Sequence, residues 1–210
     1  MAMRIVSFCM GGAMLLSAGC VGVERSYPDK RYFVIAAAEK IGAANPGVGD
    51  PKGVLLVYNL RVSPRYEGRS FVYRRSESSF ESDFYNQFLV YPGAILTEEV
   101  RKGLAAAGMF QAVIGGASQL APTHILEGSV NALYGDFRDA GSPKAVLEME
   151  FFLTRDTPAN ADIVVHRRYS KSVPVNGGSA EALVRGWSQA LNEILAGLVA
   201  DLEAANVGSH

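Results

Sequence analysis

Lys144–Arg155 reads KAVLEMEFFLTR. Ala145, Leu147, Met149, Phe151 and Leu153 alternate with Glu148, Glu150 and Thr154. That two-residue period belongs to a strand with one buried face and one wet face. Strand-like runs flank it at Thr123–Arg138 and Asp162–Val173, and turn formers fill Asp139–Pro143 and Asp156–Asp162. An antiparallel meander is the simplest connection. One of its faces is expected to pack on helices and the other to meet water or a partner.

Two helices precede and follow the meander in the chain and are expected to pack on one face of the sheet. In Ala180–Ala204, Leu183, Val184, Trp187, Leu191, Ile194, Leu195, Leu198 and Leu202 recur at three- and four-residue steps. Such a stripe must be covered. Its polar side carries Glu181, Arg185, Glu193 and Asp201 without the lysine excess of a membrane-surface helix, so packing on the sheet is the expected fate. A shorter helix is predicted over Ala94–Ala107, with Leu96, Val100, Leu104 and Ala107 as its stripe, Glu98 and Glu99 near its start, and Gly108 ending it.

Before that helix, Gly53–Val62 (GVLLVYNLRV) reads as one strand closed by Ser63-Pro64. Phe71–Arg74 and Phe80–Asn86 flank a polar turn and predict a hairpin. Arg31–Ala37 and Met109–Ile114 are short candidate strands, and Ala43–Lys52 is a glycine- and proline-rich loop. The sum is a single α+β domain over residues 31–204: a mainly antiparallel sheet packed against two principal helices, with residues 205–210 as a tail.

Composition narrows function by exclusion. The 210 residues are 49% hydrophobic and 20% charged, with a net charge of −1. Those values exclude wholesale disorder and lack the basic excess of a nucleic-acid binder. Two cysteines cannot build a disulfide scaffold, and three histidines leave little for a metal cage. His124 and His166 have no partner at ligand spacing, so no metal site is expected. No Gly-x-Ser-x-Gly elbow exists, and Gly115-Gly116 lacks the lysine of a phosphate-binding loop. Glu148 and Glu150 share a strand face, where solvated carboxylates are the ordinary reading. No catalytic residue is assigned and no enzyme is expected.

Residues 1–20, MAMRIVSFCMGGAMLLSAGC, carry one cation, Arg4, before an uncharged run from Ile5 to Gly19. As a helix that run spans about 22 Å at ~1.5 Å per residue, short of a hydrocarbon core of about 30 Å. The pattern is that of a secretory signal peptide, residues 1–19. Leu16-Ser17-Ala18-Gly19-Cys20 resembles the lipobox of bacterial lipoproteins, with Ser17 where leucine is usual. The resemblance implies cleavage between Gly19 and Cys20, a covalent lipid on Cys20, and a tether over residues 20–30. That lipid would be the only attached group, with no other cofactor. Val21 follows the cysteine rather than aspartate, which by the enteric sorting rule implies the periplasmic face of the outer membrane.

One segment stands out in the mature chain. Phe71–Tyr91 holds seven aromatic residues, with Arg74 and Arg75 among them. Aromatic residues and arginine are enriched at protein interfaces, although most such rings serve as core and cross-strand pairs. Tyr73, Arg74, Arg75, Phe84 and Tyr85 are the candidate partner contacts.

Tyr32-Phe33-Val34, the strand Val54–Val62, the run Val72-Tyr73-Arg74-Arg75 … Phe80-Glu81 … Phe84-Tyr85 … Pro92 and the closing helix together resemble the ABC-type transport auxiliary lipoprotein family. The sole tryptophan, Trp187, lies away from the position that family often gives it. The resemblance implies a non-enzymatic docking component of an ABC transporter that works with a mammalian-cell-entry (MCE) protein. Such systems move lipid or other hydrophobic compounds between membranes. The implied partners are the MCE protein, the permease and the ATPase, with homo-oligomers compatible with ring-shaped partners. An envelope-assembly or cell-wall accessory lipoprotein, or a periplasmic lipid-binding module, are the alternatives from the residues themselves.

Overall fold

A computed structural model describes residues 29–38, 53–156, 161–205 and 207. The expected signal peptide, Gly19, Cys20, most of the expected tether and the expected Ala43–Lys52 loop lie outside the described residues.

The meander forms as its alternation requires. Strands β7 (His124–Asp136), β8 (Lys144–Asp156) and β9 (Ala161–Pro174) pair antiparallel in sequence order. Ala145, Leu147, Met149, Phe151 and Leu153 are all fully buried. Helix α2 (Ala180–Ala204) lies on that face. Its start is fixed by Ser179, whose side chain accepts from the Ala182 N–H, with Glu181 in the first turn. The approach is close at Gly186, where a Cβ would stand 2.6 Å from the Ala145 Cβ. The chain stays packed beyond the helix, for Val207, in the expected tail, is fully buried.

The other long edge of β7 is divided among three short strands. β2 (Val54–Val57) runs beside its first residues, β3 (Arg61–Val62) beside Ser129 and Val130, and β4 (Ser70–Arg74) beside Gly135 and Asp136. All three are parallel to β7. β5 (Phe80–Phe88) returns antiparallel to β4, and β1 (Arg31–Phe33) lies outside β5 in parallel. β6 (Ala112–Ile114) lies outside β2, also in parallel. The α+β class is as expected, but the sheet is mixed. Its two longest pairings are antiparallel, whereas the short strands return through crossovers and align with β7.

The expected strand Gly53–Val62 is broken. Leu55 and Val57 are buried on β2, and Leu60 is buried before β3. The step of three switches the inward face, so Leu60 lies inside with Leu55 rather than with Val54. The Leu60 N–H has no strand partner and donates instead to Thr97 Oγ1 at 2.9 Å. Thr97 is on α1 (Pro92–Ala106), which therefore holds the break.

α1 begins two residues earlier than its periodicity predicts, because Pro92 is preset for the first helical position. Glu98 and Glu99 consequently fall in its second turn and pair with Lys102 at 2.9 and 3.1 Å. Gly108, at φ +66°, ends it as expected. The expected strand Arg31–Ala37 stops at Phe33. Beyond it, three backbone N–H groups find side-chain acceptors on the two helices: Ala36 on Ser188, Ala37 on Glu99 and Ala38 on Asn192. These bonds lay Ile35, fully buried, into the helical layer.

Candidate functional site

Both helices cover one face of the sheet, and no helix among the described residues covers the other. The candidate residues of the β4–β5 hairpin divide between these two faces. Strand alternation requires it, since Tyr73 and Arg74 are neighbours on β4.

Tyr73 and Arg75 stand on the helical side. The Tyr73 hydroxyl donates to Asp83 Oδ2 at 2.6 Å, and its ring meets Phe137 edge-on at 5.4 Å. Burial first, and then the Asp83 bond, push the Tyr73 phenol well above its usual range. The Arg75 guanidinium lies over the rings of Tyr73 and Phe137 and pairs with Glu81 at 2.7 Å.

Arg74 turns to the helix-free side and is mostly buried there. It donates to the carbonyls of Ser76 and Glu77, pairs with the Glu77 carboxylate at 2.9 Å, and lies over the Phe80 ring. Phe80 in turn meets Tyr134 edge-on, and Tyr134 stacks on Tyr66. Arg74 is thus the clasp of the hairpin turn rather than a free contact. Arg138 ties the β7–β8 turn to the same place, pairing with Asp136 at 2.7 Å and Glu77 at 3.1 Å.

Phe84 and Tyr85 sit on a bulge. The pairing of β4 with β5 jumps from Ser70–Gln87 to Val72–Ser82. Asp83 fills the gap: Oδ1 accepts from the Tyr85 and Asn86 N–H groups, and Oδ2 from the Asn86 side chain. Burial works to raise the Asp83 carboxyl, but the bonds from Tyr73, Asn86 and Tyr85 together hold it below the ordinary carboxylate range. The result is a Phe84 ring 64% exposed, packed edge-on against Tyr85. Of the five candidates, Phe84 is the most accessible apolar group.

The helix-free face carries residues the sequence reading did not select. Phe80, Tyr66 and Tyr134 form its aromatic end, beside a 580 Å³ groove lined by Pro64, Gly68, Val72 and Ser82 among others. Further along, Glu150 accepts from Arg168 and lies 2.7 Å from His166 Nε2. The His166 ring stacks on Phe152 at 4.1 Å. The His166 bond, with help from Arg168 and against burial, lowers the Glu150 carboxyl. Glu148 has a separate partner, Ser170, so the two glutamates do not act as a carboxylate pair. The missed signal was Asp83: an aspartate inside a predicted strand marks a bulge, because its side chain competes for backbone donors.

His124 is 3% exposed, with Nδ1 3.0 Å from Thr123 Oγ1, an edge-on contact to Phe110 and no partner for Nε2. Among the described residues no cluster of three or more His, Cys, Asp or Glu side chains could hold a metal ion. Among them also, no helix is long and apolar enough to cross a membrane.

No family model matches the chain, and no curated protein matches it. Solved structures share its fold. It is similar to a Xanthomonas campestris protein of family DUF330, at 15% identity over 84% of this chain and 96% of that one, with a TM-score of 0.71. An uncharacterized protein aligns at 14% identity over 83% and 99% of the two chains, with a TM-score of 0.63. A hypothetical protein of Chlamydia trachomatis aligns at 13% identity over 73% and 99%, with a TM-score of 0.51. The class defined is a mixed sheet with two helices on one face. At these identities the likeness is one of fold.

Proposed function

We propose that this chain is a lipid-anchored envelope protein that acts by docking rather than by catalysis. The lipobox-like Leu16–Cys20 supports the anchor. The observation that carries docking is the sheet face that no helix covers among the described residues, where aromatic and charged side chains line an open groove while both helices occupy the other side. The family resemblance in Tyr73–Pro92 names the machine: an ABC transporter with an MCE-domain protein, moving lipid or hydrophobic compounds between the two membranes. The protein would sit on the periplasmic face of the outer membrane, where its role is to seat one end of that route. The space between sheet and helices is filled by core side chains such as Trp187, Phe71 and Phe151, which favours docking over carrying lipid inside.

Photo-crosslinking in cells tests this reading. A photoreactive residue at Phe80 is expected to capture an MCE-domain protein. Capture of unrelated envelope proteins alone refutes the transporter assignment.

A further inference from the structure

β1 is an outermost strand of the sheet, and its rim is apolar. Tyr32 is 50% exposed, Val34 47%, Leu89 53%, Val90 47% and Tyr91 63%. These positions lie near one another because β1 and β5 run parallel and end together. The Leu89 N–H donates to the Phe33 carbonyl at 2.8 Å, which sets Val34 next to Leu89, with Val90 and Tyr91 following along the chain. Cations sit among them. The Arg69 guanidinium lies 5.2 Å from the Tyr32 ring centroid, and Lys30 Nζ lies 4.2 Å over Phe84 at the other end of the same edge. Arg31 is already engaged by Glu181 at 2.7 Å.

Tyrosine beside apolar residues, with lysine and arginine at the margin, is the composition of a membrane–water interface. Chain length decides the occupant. Lys30 follows Cys20 by ten positions. Fully extended, that length of chain reaches about 35 Å. A domain of this size is on the order of 40 Å across. A lipid on Cys20 therefore brings the bilayer to the edge where the chain enters the domain.

We propose that the β1 edge, from Tyr32 and Val34 to Leu89–Tyr91, rests in the headgroup region of the membrane that holds the anchor. The inference rests on the lipidated Cys20 of the proposed function. Tyr32 alternates with Phe33, which packs on Phe71 under the helices, so this rim is the β1 end of the helix-free side, and the end around Phe80 and Tyr134 stays available to a protein partner.

Site-directed spin labelling of the mature lipoprotein made in cells tests the proposal. Nitroxides are placed at Val90→Cys and, on the opposite sheet edge, at Ile163→Cys, which is 63% exposed. The protein is reconstituted in vesicles of phosphatidylethanolamine with phosphatidylglycerol. At position 90, collisions with oxygen should rise and collisions with a water-soluble nickel complex should fall, giving a several-fold higher ratio than at 163. Equal ratios at the two positions, with Cys20 lipidated by mass, overturn the edge assignment alone. Shielding from nickel and oxygen together identifies a protein occupant and also overturns it. A mature mass without lipid on Cys20 removes the anchor reading and this one with it.

Discussion

Replacing Trp187 separates the two jobs of its side chain. The indole is fully buried, meets Phe71 edge-on at 5.0 Å and Phe88 at 5.6 Å, and donates from Nε1 to the Tyr134 carbonyl at 3.2 Å. It thus joins α2 to β4, β5 and β7 at one point. Trp187→Ala leaves a cavity between helix and sheet, for which buried aromatic truncations cost about 3–5 kcal/mol. Trp187→Phe keeps most of the ring contact and loses the hydrogen bond, a cost of roughly 1–2 kcal/mol. About 4 kcal/mol is nearly a thousandfold in the folding equilibrium. With a urea dependence of about 2 kcal/mol per molar, the alanine variant should unfold some 2 M earlier. Far-UV circular dichroism of residues 21–210 in urea measures both variants. The order wild type, phenylalanine, alanine is expected, with unchanged slopes. An alanine variant within about 1 kcal/mol of wild type would refute this packing of Trp187 between helix and sheet.

Gly186→Val should lower the thermal midpoint by roughly 5–10 °C, because its side chain meets Ala145 and Val175 and overpacking costs about 2–3 kcal/mol; Gly197→Ala, which meets only the edge of Tyr169, serves as the milder comparison. Thr97→Val should cost about 1–3 kcal/mol, since the buried Leu60 N–H loses its acceptor, and amide exchange at Leu60 should accelerate. Burial first, and then the Arg155 charge, lower the His124 pKa, so the unfolded chain binds the proton more readily. Stability should therefore hold above about pH 6.5 and fall as the pH drops below it. Denaturation between pH 5.5 and 7.5 should show that slope in the wild type and lose it in His124→Gln.

The elements with a single dominant period were legible without a structure. α2 runs over the residues its stripe predicts, and the three long strands lie within two residues of their expected ends. Both depend on local repetition of apolar side chains, which one chain segment carries by itself. The break between β2 and β3 was not legible, because its cause is Thr97 on a helix far along the chain. The candidate contacts were chosen by composition, and composition does not say which way a side chain faces. Tyr73 and Arg74 went to opposite sides by alternation, Arg74 was absorbed by its own turn, and Phe84 was lifted out by Asp83.

What residues 1–20 imply about an anchor, and what the alternating strands and striped helix imply about class, follow from short-range pattern alone. Which strands lie parallel, which face the two helices cover and which edge holds Tyr32, Val34 and Leu89–Tyr91 follow from contacts between residues distant in sequence. Those contacts are set by where buried surface can be matched across the whole core, and no window of sequence contains that information.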